Sequence, residues 1–278
     1  AKKFVKIVNP QKVFFVKYDF WFNYLYVLKT KNIPTILFSS IFRPNQYFFK
    51  CYGKWFSNQL KAFTHLFVQN KESENLLKSR GIDSCTVAGD TRFDQVTRIA
   101  TAVKQFPDVE RFLANSKVLL AGSTWEPDEQ LLKTFIDNPD NKDIKMIVAP
   151  HEIHSSHIDS IQKLFGTRSV KYSELSAMTD VKNYNVLIID NIGMLSSLYQ
   201  YAYVAYIGGG FGKGIHNILE ALAFAKPVCF GPNYMKFQEA KDIIKLQGGI
   251  SISDQKSLNE ALSHWFREHE AYLKASNV

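Results

Sequence analysis

The chain has 278 residues, of which 46% are hydrophobic and 22% charged, with a formal net charge of +8 at pH 7. That length buries a sizeable core and accommodates two lobes. Three scattered cysteines, Cys51, Cys85 and Cys229, sit in apolar or strand-like surroundings and argue against a disulfide framework or a zinc site, in favour of a reducing compartment, while no apolar run reaches the roughly 18 residues needed to cross a bilayer. The chain opens without Met on AKKFVKIVNPQKVFFVKYDFW, which reads as a connection running into a central strand, so the chain is expected to begin inside a domain. Residues 13–16 (VFFV) and 35–39 (TILFS) predict buried parallel strands joined by a helix over 19–29. Residues 65–69 predict a strand, 71–80 a helix ended by Gly81, and 86–88 a strand closing at Gly89-Asp90. The chain then turns polar through Gln105-Phe106-Pro107, which puts the lobe boundary at 106/107.

The alternation restarts at 117–121 (KVLLA), followed by Gly122-Ser123-Thr124, an acidic turn at 126–129 and a helix over 130–136. A strand at 144–149 ends in Pro150-His151, a helix covers 158–165, and a strand at 186–190 ends in Asn191 and Gly193. A helix over 194–201 and a strand at 204–207 complete the series. Strands and helices alternating with short turns predict an α/β fold with parallel, doubly wound sheets. Two such Rossmann-like lobes facing a cleft make a glycosyltransferase-B-like architecture, with lobe 1–106 incomplete and lobe 107–278 carrying the ligand.

Charge divides unevenly along the chain. Residues 1–61 hold eleven Lys/Arg and a single acid, Asp19, whereas the other 217 residues hold 23 basic and 25 acidic groups. The same 61 residues carry seventeen Phe, Tyr or Trp, interleaved with lysine in YFFKCYGKWF at 47–56. The pattern suits a membrane interface, an anionic lipid or single-stranded nucleic acid, and equally suits core aromatics separated by solvated lysines.

Residues 207–233 (IGGGFGKGIHNILEALAFAKPVCFGPN) run strand, glycine loop, helix and second strand in succession. Glycines let backbone approach a phosphate, and the helix start offers unpaired N–H groups. Asn217 and Glu220 are three apart and His216 and Glu220 four apart, so all three side chains are expected on one helix face, with the carboxylate placed to accept from a ribose diol. The alternative is that Glu220 is solvated or capping. A dinucleotide fingerprint needs glycine where Lys213 or Ile215 stands, and a P-loop needs Ser or Thr where Gly214 stands, so a nicotinamide or ATP site is disfavoured.

Several strand-end turns form an ordered set: AGST at 121–124, Pro150-His151, Asp190 to Gly193, and GIHNILE at 214–220 followed by Pro227-Val228 and Gly231-Pro232. Upstream stand Trp21-Phe22-Asn23, Ile33-Pro34 and GDTRFD at 89–94. This set resembles the bacterial 3-deoxy-D-manno-octulosonic acid (Kdo) transferases of lipid A assembly over nearly the whole chain. The resemblance implies an inverting, metal-free transfer of Kdo from CMP-Kdo to an anionic lipid A precursor at the cytoplasmic face of the inner membrane. No cofactor is implied and no nucleic acid is expected, and the basic aromatic lobe would make the acceptor-side, peripheral membrane contact. It assigns Glu220 to the ribose, Asn217, Ile218, Leu219, Pro150, His151, Ile192, Gly193 and Met194 to CMP, and Ser123, Thr124, Gly214 and His216 to phosphate. Asp19 and Arg92 would support the transition state, although Asp19 also reads as a helix cap beside Phe20 and Arg92 as a partner of Asp94.

The chain departs from the family pattern at several positions. His151 stands where the family has arginine, Trp125 and Pro127 where it has histidine and glycine, Met194 where it has an acid, and Lys236 where it has asparagine. The family's general-base carboxylate lies upstream of anything aligned here and no residue matches it, so the expectation is a fragment that binds CMP and transfers poorly. Two rivals stay open: a UDP-sugar transferase or epimerase of the same architecture, and a non-catalytic basic nucleic-acid-binding module.

Overall fold

The computed structural model describes residues 1–278 apart from Gln95 and Ile99, and divides into two compact units, Ala1–Asp94 and Gln95–Val278. In the first unit, α1 (Lys2–Val8), β1 (Val13–Val16), α2 (Phe22–Thr30), β2 (Thr35–Ser40), α3 (Lys54–Leu60), β3 (His65–Val68), α4 (Lys71–Lys78) and β4 (Cys85–Val87) follow in order. The four strands form a parallel sheet in the order β1-β2-β3-β4. Alternate residues Phe15, Leu37, Leu66 and Val68 turn one sheet face onto Leu25 and Leu28 of α2, Leu60 of α3 and Leu77 of α4. Each such side chain contributes roughly 1.5–3 kcal/mol by leaving water.

Three expectations are corrected here. The opening residues form a helix, α1, that buries Val5, rather than a connection. β1 is an edge strand, not a central buried one: Phe15 alone among its residues is buried, and Phe14 and Val16 are 56% and 50% exposed. Cys51 is exposed, whereas Cys85 and Cys229 are buried, and all three thiols are free.

The division at Asp94 also falls earlier than 106. α5 (Arg92–Thr101) runs across it, and the stretch after α5 is tied to the second unit. Gln200 Nε2 donates to the Lys104 carbonyl at 2.8 Å and the Phe106 N–H donates to the Tyr201 hydroxyl at 3.0 Å.

The second unit continues with α6 (Pro107–Leu113), β5 (Lys117–Thr124), α7 (Glu126–Asp137), β6 (Ile144–Pro150), α8 (Ser155–Phe165), β7 (Ser169–Lys171), α9 (Tyr172–Leu175), β8 (Val186–Ile188) and α10 (Leu195–Leu198). β9 (Val204–Ile207), α11 (Leu219–Leu222), β10 (Val228–Phe230), α12 (Gln238–Lys245), β11 (Gly249–Ser251), α13 (Gln255–Arg267) and α14 (His269–Ser276) complete it. Seven parallel strands lie in the order β11-β10-β9-β5-β6-β8-β7. Both faces are covered, and the period of two along β5 shows it. Leu119 and Ala121 join a core with Leu132 and Phe135 of α7, Ile161 of α8 and Trp265 of α13, whereas Val118 and Leu120 join one with Phe112 of α6, Leu198 of α10 and Ile243 of α12. From β5 the chain moves outward to β6 and on to the edge strand β7, comes back to insert β8 between those two, then crosses to lay β9 on the other side of β5. That reversal opens a crevice beyond the carboxyl ends of β5 and β9, the place where open α/β sheets take ligands.

Candidate functional site

Trp125 to Glu129 follow the end of β5, and Gly208 to His216 follow the end of β9. Asp128, at the third position of α7, links the two. Its carboxylate is fully buried and accepts the Tyr206 hydroxyl at 2.7 Å, the Trp125 N–H at 2.9 Å and the Gly209 N–H at 3.0 Å. Burial, reinforced by the Asp128 charge, pushes the Tyr206 phenol far above its ordinary range, so it stays a donor. The next residue, Glu129, serves the scaffold: one oxygen accepts the Thr124 hydroxyl at 2.9 Å and the other lies 3.1 Å from His157 Nε2. His157 Nδ1 in turn donates to the Glu152 carbonyl at 2.9 Å.

The glycine loop is pressed into place by neighbouring backbone. A Cβ on Gly208 would stand 2.3 Å from the Ser123 carbonyl oxygen, and one on Gly210 would stand 2.6 Å from Gly231 Cα. Asn233 clamps the same loop, donating its N–H to the Gly210 carbonyl at 3.0 Å and its amide Nδ2 to that of Gly212 at 2.8 Å.

At the mouth of the crevice three rings meet. His151, just past β6, stacks on His216 with ring centres 4.2 Å apart and an interplanar angle of 26°, and Trp125 lies 4.9 Å from His151. Trp125 Nε1 donates to His216 Nε2 at 3.2 Å. Burial, aided by the neighbouring His151, lowers the His216 pKa, against a smaller opposing pull from Asp128. These rings, Asp128, Phe211, Lys213 and the backbone of Gly209, Gly212 and Gly214 line a cavity of about 570 Å³. The Lys213 ammonium makes no ion pair among the described residues, so the cavity carries an available cation beside a glycine backbone, a combination suited to an oxyanion.

Of the residues expected from sequence, His151, Gly214 and His216 line this cavity. The Ser123 hydroxyl has no hydrogen-bond partner among the described residues, at a strand end strained to φ +55°. The Thr124 side chain, expected at the phosphate, is fully buried, and its hydroxyl donates to Glu129. Pro150 is buried at the end of β6. Ile192, 85% exposed, and Gly193 form a turn outside the cavity, and Met194 is buried in the core. Ile218 and Leu219 are likewise buried and present only backbone.

The helix after the loop is shorter than expected. α11 is a single turn beginning at Leu219, so His216 lies outside it and faces Trp125, not Glu220. Asn217 and Glu220 do meet: Asn217 Nδ2 donates to Glu220 at 3.0 Å, and the Asn217 side-chain oxygen Oδ1 accepts the Leu219 N–H at 3.3 Å. Burial pushes the half-buried Glu220 carboxyl up, with the Asn217 bond opposing. In the first unit Asp19 is exposed and is not a helix cap, because α2 begins at Phe22. Arg92 pairs with Asp90, through Nη2 at 2.6 Å and Nε at 2.7 Å.

Sequence reasoning missed Asp128, Trp125, Phe211 and Lys213 as site residues. The signal for Asp128 was its position three residues after Trp125, at the start of a helix, where a carboxylate reaches back to the N-cap N–H.

Two parallel α/β units, the second with a glycine-loop cavity at its switch point, define a glycosyltransferase-B-type fold of the kind shared by nucleotide-sugar transferases and epimerases. Residues 1–95 match the family model described as 3-deoxy-D-manno-octulosonic-acid transferase (kdotransferase). By sequence the chain is a relative of those transferases. It is 26% identical over 212 residues to the 3-deoxy-D-manno-octulosonic acid transferase of Rickettsia bellii, covering 74% of this chain and 49% of that one. It is 23% identical over 268 residues to that of Chlamydia trachomatis serovar A, covering 93% and 61%. The chain thus spans about half the length of the Rickettsia relatives it matches. Among solved structures, the C-terminal CMP-Kdo binding domain of WaaA from Acinetobacter baumannii superposes with a TM-score of 0.52 and 21% identity, covering 66% of this chain and 94% of that one. UDP-GlcNAc 2-epimerase from Neisseria meningitidis superposes over the full chain and 73% of its own, with a TM-score of 0.66 and 16% identity.

Proposed function

We propose that this chain carries the donor-binding unit, and part of the acceptor-side unit, of an inverting transferase that moves Kdo from CMP-Kdo to a hydroxyl of a lipid A precursor. The observation that carries the reading is the cavity at the β5/β9 switch point, where Lys213, His216, His151 and the glycine backbone converge. Its volume of about 570 Å³ suits a nucleotide sugar. Lys213 and the loop would meet the phosphate, and the Asn217–Glu220 pair the ribose. In the transfer the acceptor oxygen bonds to the anomeric carbon as the bond to CMP breaks, CMP leaves with that electron pair, and the acceptor proton passes to a base. Fixed donors around the leaving phosphate lower that barrier without a metal. The acceptor is an anionic lipid, and the exposed Trp21, Tyr52 and Trp55 of the lysine-rich first unit suit peripheral contact with the cytoplasmic face of the inner membrane.

The test is a calorimetric titration with CMP, with UMP and AMP as competitors and Lys213→Ala as a control. Saturable binding that prefers CMP and weakens in the variant supports the reading; equal binding of all three nucleotides, or of none, overturns it.

A further inference from the structure

We propose that Trp125 is a positioning residue that holds His216 in its neutral, Nδ1-protonated form, so that His216 meets the oxyanion of a nucleotide-sugar donor as a hydrogen-bond donor and not as a cation. The inference rests on reading the second unit as a nucleotide-sugar site. The geometry carries it. An indole N–H only donates, so the 3.2 Å contact from Trp125 Nε1 requires a lone pair on His216 Nε2. The ring proton must then sit on Nδ1, which has no partner among the described residues, on a ring that lines the cavity. Protonating Nε2 would set two donors against each other.

The surroundings oppose protonation from other sides as well. The His151 ring from the end of β6 stacks at 4.2 Å, Lys213 lines the same cavity, and Gly209 crowds the ring so closely that a Cβ there would stand 2.9 Å from His216 Cδ2. Among the described residues the acidic group acting on His216 is Asp128, and its two oxygens already accept three donors from Tyr206, Trp125 and Gly209. Burial together with His151 lowers the His216 pKa, in the same direction as the indole contact.

A neutral donor and a permanent cation divide the recognition of an oxyanion between them. Lys213 supplies charge and His216 supplies direction, and the direction does not titrate away as pH rises.

The test is imidazole 15N–1H NMR of the full chain without ligand, with the His216 resonances identified by their loss in His216→Gln. The expected spectrum has protonated Nδ1 and bare Nε2, persisting to lower pH than an ordinary histidine near 6.5. In Trp125→Phe, His216 is expected to titrate at higher pH, and CMP affinity to rise several-fold more than in the wild type on lowering pH from about 8 to about 6. A wild-type Nε2–H tautomer, or identical titration in Trp125→Phe, overturns the inference. Because the spectrum is read without ligand, the right tautomer with no CMP binding would instead overturn the reading of the site.

Discussion

The carboxylate of Asp128 and the backbone N–H of Gly209 meet at 3.0 Å, although 81 residues separate them in the chain. Through this bond the first turn of α7 holds the glycine loop after β9, and the same carboxylate fixes Trp125 and Tyr206. The cavity is therefore built around a buried charge that touches three pieces of backbone and side chain at once. Its cost of burial is offset only while all three donors stay in place.

Asp128→Ala would leave the Tyr206 hydroxyl and the N–H groups of Trp125 and Gly209 without their acceptor. The expected loss is about 3 kcal/mol or more, seen as a lower urea midpoint. Asp128→Asn, which keeps one acceptor oxygen, should lose less stability yet still weaken CMP binding, because its amide turns a donor toward one of the three. Unchanged stability in both variants would mean that the loop is held by other contacts.

Much of the second unit was legible because its signals are local. The alternation of Val118, Leu119, Leu120 and Ala121 marks a strand buried on both faces, and the glycines after Ile207 mark a tight loop. What stayed hidden depends on pairings far apart in sequence. Trp125 reaches His216 across 91 residues, and nothing near either one announces the contact. Thr124 looked available because a hydroxyl at a strand end is usually solvated, but Glu129 one helical turn later takes it. Met194 sits in a turn of polar character and is nevertheless drawn into the core with Leu198. In the first unit, Phe14 and Val16 read as buried because apolar runs usually are, and only the strand order puts them on an edge.

Gly210 and Gly231 lie backbone to backbone, with a Cβ on Gly210 only 2.6 Å from Gly231 Cα and N. No side-chain rotation relieves such a contact, so Gly210→Ala must push the loop away from the β10 turn. Overpacking of this kind costs typically 1–3 kcal/mol, about 2 kcal/mol here, and should also weaken CMP binding. Thermal unfolding and the calorimetric titration measure the two effects; a variant with wild-type values for both would show that the loop shifts freely.

Glu220 gives the proposed ribose contact a pH dependence. Burial raises its carboxyl pKa against the opposing Asn217 bond, so the carboxylate is lost at milder acidity than an ordinary glutamate near 4.3. As pH falls through that raised value, the carboxyl loses its charge and turns one oxygen into a donor, so it no longer accepts from both ribose hydroxyls and CMP binding weakens. Glu220→Gln should bind about tenfold or more weakly at neutral pH, the scale of one hydrogen bond to a charged group. It should also show only the slope due to the CMP phosphate itself. A slope equal to that of the wild type would remove Glu220 from the site.

Glu129 governs stability rather than binding. Burial raises its carboxyl pKa, with His157 and the Thr124 hydroxyl pulling the other way, so at pH between the unfolded and folded values the folded state holds a proton that the unfolded state has released. A raised carboxyl pKa contributes stability that is complete below the unfolded value near 4.3 and fades as pH rises through the folded one. Glu129→Gln removes that slope. Its amide oxygen still accepts from Thr124 and its NH2 donates to His157 Nε2, while His157 Nδ1 continues to donate to the Glu152 carbonyl. The variant should therefore fold, and its urea midpoint should stay flatter than that of the wild type across the mildly acidic range. Parallel profiles for the two proteins would show that the Glu129 carboxyl titrates alike in the folded and unfolded states.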